Sequence, residues 1–328
     1  MKPTKYLVIT SIFPPSKAIK QFAKIPDWQV VVVGDKKTPS DWHVDNVIYL
    51  DPGDQEKLGF KILEFLPWNN YCRKMVGYLY AMGQGAELIA DSDDDNEPYG
   101  GWPSLPVGSS FRTLSGSKFI NIYKYFTDEF VWPRGLPLDR ILEDVNVNED
   151  QKNHDVAIWQ FLADKDPDVD AIYRLTNNRL IDFKKTEPIV LEKGTACPIN
   201  SQNTVFSKKV FPLMYLPAFV TFRSTDIFRG LVAQPLIWEY GYRLGFGPAT
   251  VFQERNPHDY LKDFESEVPV FLKSEEVLDI AVSTTAKKPR LGDSLLAVYE
   301  GLGEAGIVSD QELALLGAWL DDVASLIG

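Results

Sequence analysis

Four carboxylates fall within five positions, at Asp91, Asp93, Asp94 and Asp95, directly behind the apolar run ELIA at 87–90. Carboxylates packed so closely repel one another and raise each other's pKa. A divalent cation removes that cost, and an all-oxygen donor set suits Mg²⁺ or Mn²⁺ rather than zinc. A calcium-binding EF-hand is excluded, because the sixth position counted from Asp91 is Asn96 and the twelfth is Trp102, where Gly and Glu are required. A solvated acidic turn is the plainer alternative. The location of the run at the end of a buried strand puts the cation reading ahead, with Asp93 and Asp95 as the ligand pair and Asp94 between them.

Other groups could serve an anionic ligand of that cation. Arg73 carries a guanidinium fork suited to bidentate anion binding, eighteen to twenty-two residues before the acids of the run. Thr10 and Ser11 end one apolar run, and Asp35, in Gly34-Asp35, ends another. Gly-Asp is also simply a good turn. Lys36 and Lys37 follow it and read as ordinary surface lysines. Nucleophilic triads find no support in the spacing, and residues 241–247 lack the G-K-[ST] ending of a phosphate-binding P-loop.

The elements that must hold these groups are short apolar strands alternating with helical patterns. Residues 6–10, 28–33, 47–50 and 86–90 read as strands. Residues 16–24 and 69–85 read as helices, the second from the spacing of Cys72, Met75, Val76, Leu79, Tyr80 and Met82. This alternation predicts an α/β fold with a mostly parallel sheet covered on both faces. In such sheets ligands gather at the carboxyl ends of the strands, here Thr10-Ser11, Gly34-Asp35 and the acidic run. Residues 99–209 are rich in Pro, Gly and aromatics and read as less regular. Residues 283–290 have linker composition, and 291–302 and 310–327 read as two amphipathic helices. The domains are therefore drawn at 1–282 and 283–328, with the helical pair expected to dock on the main domain or to form a homo-oligomer.

A net charge of −12 excludes a nucleic-acid surface, which needs a dense field of Lys and Arg. Cys72 and Cys197 make no disulfide framework and no metal-ligand spacing. No apolar run approaches the ~20 residues of a membrane span, and the amino terminus has no signal-peptide core. A soluble, cytoplasmic protein is the expectation.

An apolar strand followed by D-x-D, with a basic helix just before it, resembles the GT-A glycosyltransferases. In these the acidic motif holds a metal that bridges the phosphates of a nucleotide-sugar. The runs VVVGDKKTPSDW (31–42), LPWNNYCRKMVGYLYAMGQGAELIADSDDDN (66–96), VWPRGLPL (131–138) and DIFRGLVAQPLIWEYG (226–241) resemble more narrowly the STELLO-type proteins. The likeness extends from about residue 6 to about residue 266, with an echo near Trp319-Leu320-Asp321-Asp322. Plant members of that family carry a membrane anchor and further domains.

The resemblance implies a Rossmann-like nucleotide-sugar-binding domain and Mn²⁺- or Mg²⁺-dependent transfer from a nucleoside-diphosphate donor, a UDP-sugar first, to a glycan or other hydroxyl acceptor. It places Thr10, Ser11 and Asp35 near the base and ribose, and Arg73, Asp93 and Asp94 near the diphosphate. It makes Asp226 the catalytic or acceptor-binding carboxylate, although Ser224-Thr225-Asp226 also reads as a plain helix start. It makes His258 a further metal ligand. Asp168 and Asp170 are rivals to Asp226, and a loop Asp is usually turn chemistry. Arg134-Gly135-Leu136-Pro137 is similar to the glycosylated R-G-x-P motif of the UDP-arabinopyranose mutases. Arg134 is therefore expected either to hold sugar or phosphate, which we favour, or to be glycosylated as in a mutase. A non-catalytic nucleotide-sugar-binding scaffold is the remaining alternative.

Overall fold

The computed structural model describes residues 4–143, 145–254 and 259–327. Its eleven strands are β1 Lys5–Thr10, β2 Gln29–Val33, β3 Val47–Leu50, β4 Leu88–Ser92, β5 Asn96–Pro98, β6 Ser110–Ser115, β7 Asn148–Asn153, β8 Asp155–Lys165, β9 Ile189–Leu191, β10 Asn203–Ser207 and β11 Tyr242–Gln253. The α-helices are α1 Lys17–Phe22, α2 Pro52–Lys57, α3 Lys74–Gly83, α4 Ala171–Thr176, α5 Thr225–Glu239, α6 Tyr260–Thr284, α7 Leu291–Glu304 and α8 Asp310–Ile327.

All strands join one sheet in the order β3-β2-β1-β4-β10-β8-β11-β9-β6-β7, with β5 pairing to β11. The half read from the amino-terminal pattern, β3-β2-β1-β4, is parallel throughout. Beyond β4 the sheet becomes mixed. Strand β10 runs antiparallel between β4 and β8, and β8 pairs in parallel with the long β11. The apolar eleven-residue β8 lies within the segment that reads as irregular.

Strand alternation decides which layer each residue joins. Tyr6, Val8, Val31 and Val33 face a core shared with Met75, Val76 and Leu79 of α3. Leu7, Ile9, Val30 and Val32 face the opposite one, shared with Ile19 and Phe22 of α1. Gly77 lets α3 lie flat on the sheet, since a Cβ there would come within 2.5 Å of Val8 Cγ1 and 2.8 Å of Val33 Cγ2. That close approach sets the height of the helix whose first turn carries Arg73 and Lys74.

The tail helices form where their periodicity places them, but they share the main core rather than sitting apart from it. Leu295, Tyr299, Leu316 and Trp319 join the same buried cluster as α3 and α5. Two buried acids lock them down. Asp322 accepts the backbone N–H groups of Lys61 and Ile62, each at 2.9 Å. Glu312 accepts those of Ala218 and Phe219 and the Tyr215 hydroxyl. Among the described residues, no helix is long and apolar enough to cross a membrane.

Candidate active site

The carboxyl ends of β1, β2 and β4 open onto a cavity of 380 Å³. Thr10, Ser11, Asp35, Arg73, Asp93, Asp94, Asp95, Arg134 and Asp226 all line it, so chain segments more than two hundred residues apart meet on one surface. His258 lies outside the described residues. His43 pairs with exposed Asp45, and His154 with Thr113.

The acidic run divides into distinct roles. Asp91 ends in the core, fully buried, with Lys74 Nζ at 2.6 Å and Arg229 Nη1 at 2.9 Å, and it accepts the Tyr78 hydroxyl at 2.7 Å. It is a structural counter-ion. Lys74 also reaches the carbonyl of Ser92 at 2.7 Å and Asp93 at 3.4 Å. This lysine holds the run together, although the sequence pattern gives its neighbour Arg73 the greater weight. Its position, one residue from a candidate and facing an acidic strand end, was the available signal.

Asp93, Asp94 and Asp95 turn toward the cavity. Burial pushes the Asp93 carboxyl up to about 7; Lys74 pulls it down, and Asp95, Asp91 and Asp94 push it further up. Burial also raises Asp94, against a 2.5 Å hydrogen bond from Ser11 Oγ that favours its anion. Asp95 Oδ1 accepts from Gln253 Nε2 at 2.9 Å, a partner supplied by β11. A carboxyl held near neutrality beside two others is chemistry that a hard cation would relieve. Among the described residues, no three His, Cys, Asp or Glu side chains converge as a metal-holding group.

Arg73 is buried and gives Nε and Nη2 to Gln55 Oε1 at 2.8 and 2.6 Å, with its guanidinium 3.4 Å from the Trp68 ring centroid. Burial lowers its pKa to about 10, while Asp35 and Glu56 work the other way. No carboxylate pairs with it directly among the described residues, so it can supply positive charge to an anion in the cavity. Asp35 Oδ2 accepts the Asn70 N–H at 3.2 Å, tying the end of β2 to the loop ahead of α3.

Elsewhere in the cavity lining, Arg134 is clamped between two carboxylates. It meets Asp168 through Nε and Nη2, each at 2.8 Å, and Asp226 through Nη2 at 2.9 Å. It also donates to the Arg223 carbonyl. Burial works against its charge, but Asp168 and Asp226 outweigh this and hold its pKa well above the usual value. Burial pushes Asp226 up, yet the neighbouring Arg134 leaves it below the ordinary carboxylate range. Asp226 also accepts the Ser201 N–H at 3.2 Å, and it lies in the first turn of α5 without capping that helix by its side chain. A carboxylate so engaged is a weak proton acceptor, and the arrangement favours positioning. Gly135, at φ +91°, permits the approach: a Cβ would meet Ile227 Cγ2 at 2.5 Å. Of the rivals, Asp168 is part of this clamp, whereas Asp170 caps α4 through the Tyr173 N–H at 2.8 Å.

The family model for STELLO glycosyltransferases matches residues 223–327, from Arg223 at the cavity wall through the tail helices. The proteins named "Probable glycosyltransferase STELLO1" and "Probable glycosyltransferase STELLO2" of Arabidopsis thaliana are 27% and 28% identical over 98% and 97% of this chain. The chain is thus similar to the STELLO glycosyltransferases over nearly its whole length. It spans 44% of the length of each of those two proteins. The matched span includes α7 and α8, which share the main core.

Proposed function

We propose that this chain transfers a sugar from a nucleoside-diphosphate donor, a UDP-sugar first, to a hydroxyl acceptor. The observation that carries the reading is the meeting of an acidic run, a buried arginine and a clamped Arg–Asp pair in one cavity at the strand ends. Asp93 and Asp95 would hold Mn²⁺ or Mg²⁺ together with diphosphate oxygens, where the ion supplies charge neutralisation for the leaving group. Arg73 adds positive charge on the diphosphate side, and Asp35 and Thr10 offer hydrogen-bond acceptors for ribose or base. Ser11 orients Asp94. Arg134, fixed by Asp168, orients Asp226 toward the sugar.

The clamp also bears on the mutase reading. A guanidinium shared between two carboxylates and held fully charged is a poor nucleophile, so self-glycosylation at Arg134 is disfavoured. Incubation with a panel of UDP- and GDP-sugars plus Mn²⁺ tests the proposal. Release of nucleotide supports transfer or hydrolysis. Ring interconversion without release would replace it with a mutase, and binding without turnover would replace it with a scaffold.

A further inference from the structure

We propose that a cleft leading away from the acidic run binds an extended, neutral glycan, the acceptor of the transfer; the acceptor role rests on the function proposed above. Phe13, Asp94 and Asp95 line the central cavity and also line a second hollow of 340 Å³ together with Lys17 and Glu97. Lys17 and Glu97 in turn line a third depression of 820 Å³. The three share walls in series. β5 starts one residue after Asp95, so the third depression begins where the acidic run ends. A small acceptor would be accommodated by the first cavity alone. A cleft of this size continuing outward suits a ligand of several linked units.

The wall of the cleft has the chemistry of a sugar platform. Half-buried Trp28, Tyr99 and Phe252 and the buried Trp102 line it. The rings are held in place beforehand. The Tyr99 hydroxyl donates to Asp164 at 2.9 Å, and Trp102 Nε1 donates to Asn203 Oδ1 at 3.0 Å. Trp28 and Trp102 lie 5.0 Å apart by centroids, and Tyr99 and Phe252 5.5 Å. Fixed aromatic surface can pack on the C–H faces of sugar rings at little entropic cost.

Gln21 lines the same depression, with its Nε2 fixed on Glu97 at 3.1 Å. The charges of the depression come close to balancing and single out no ionic ligand: Lys5, Lys17 and Lys24 face Asp27 and Glu97, with Lys17 paired to Glu97 at 2.7 Å, and no arginine lines it among the described residues.

The test titrates the chain with soluble neutral gluco-, xylo-, manno- and galacto-oligosaccharides of increasing length, by calorimetry and tryptophan fluorescence. At least one series should bind with affinity that grows with length. Trp28→Ala should weaken it about tenfold, the scale of one lost stacking contact. Ser104→Trp, which fills the exposed rim without touching the core, should weaken it at least as much, so the result does not hang on how well the first variant folds. Affinity for UDP-sugar with Mn²⁺, measured in parallel, should stay unchanged in both. Failure of every series to bind, or binding indifferent to both variants, would overturn the cleft assignment even if the donor binds. Glycan binding that obeys the variants while no donor binds would support the cleft and sink the transfer function instead.

Discussion

Arg134 Nη2 and Asp226 Oδ2 lie 2.9 Å apart across the cavity wall, joining an R-G-L-P loop to the first turn of α5 ninety-two residues later. Asp168 holds the other edge of the same guanidinium, so the charge of Arg134 is shared and its orientation is fixed. Arg134→Lys keeps the charge but cannot span both carboxylates. Transfer should fall at least tenfold, with donor affinity less affected because Asp93, Asp95 and Arg73 lie elsewhere in the site. Intact-mass spectrometry of the wild type after incubation with the donor panel should show no added sugar. A stable hexose or pentose on Arg134 would reverse the assignment.

Asp91 should prove a residue of stability. Its carboxylate faces two buried cations, Lys74 and Arg229, and all three side chains are shielded from water. Asp91→Asn leaves both cations without their anion, a loss of about 3–5 kcal/mol by analogy with broken buried pairs. Urea denaturation should show the midpoint falling with an unchanged slope. A variant as stable as the wild type would refute the counter-ion role.

Asp91 also shows where sequence reading stops. The strand–acid pattern places the run at the carboxyl end of a buried strand, β4, which lies between β1 and β10 in the sheet. Periodicity says nothing about which of four adjacent acids turns inward. Lys74 and Arg229 decide that, and they come from two helices far apart in the chain. The same limit applies to Asp168, whose partner Arg134 is fixed only by tertiary packing. β8 is hard to read in the sequence because its apolar run sits among the prolines and glycines that dominate its surroundings. Composition reads 283–290 as a linker, whereas α6 runs on to Thr284 and only residues 285–290 join it to α7; the burial of α7 and α8 is not legible either, since an amphipathic face does not name what covers it.

The tail helices should be inseparable from the site. Glu312 ties down the segment just before Phe222 and Arg223, and Asp322 ties down residues 61 and 62, just before Trp68 to Arg73. Both anchored segments run into the cavity wall. Truncation before Lys287 strips Leu295, Tyr299 and Trp319 from the core and should yield unfolded or aggregated chain. Glu312→Ala is gentler, leaving the buried Ala218 N–H unpaired at about 1–3 kcal/mol and the partly exposed Phe219 N–H to find water. It should lower the unfolding temperature and weaken donor binding together. A truncated chain that keeps its near-ultraviolet circular dichroism and its donor affinity would show the helices to be an accessory.

Metal dependence and the titration of Asp93 can be tested in one set of unfolding curves. Nucleotide-sugar affinity should vanish in excess EDTA and in Asp95→Ala. In the metal-free chain the folded pKa of Asp93, about 7, lies above its ordinary value of 3.8. The folded state therefore holds this proton more tightly than the unfolded state does. Stability from that group is present below pH 4 and is lost as pH rises from about 4 to 7, after which the curve is flat. Asp93→Asn cannot titrate, so in EDTA the variant should gain on the wild type across that window. About a third of the side chain is exposed, so solvent screens part of the effect and the gain should be on the order of 1–2 kcal/mol. Adding Mn²⁺ at pH 8 should then stabilise the wild type and leave Asp93→Asn nearly unmoved. Parallel stability curves for the two proteins across this pH range, or equal stabilisation of both by Mn²⁺, would remove Asp93 from the proposed ligand pair.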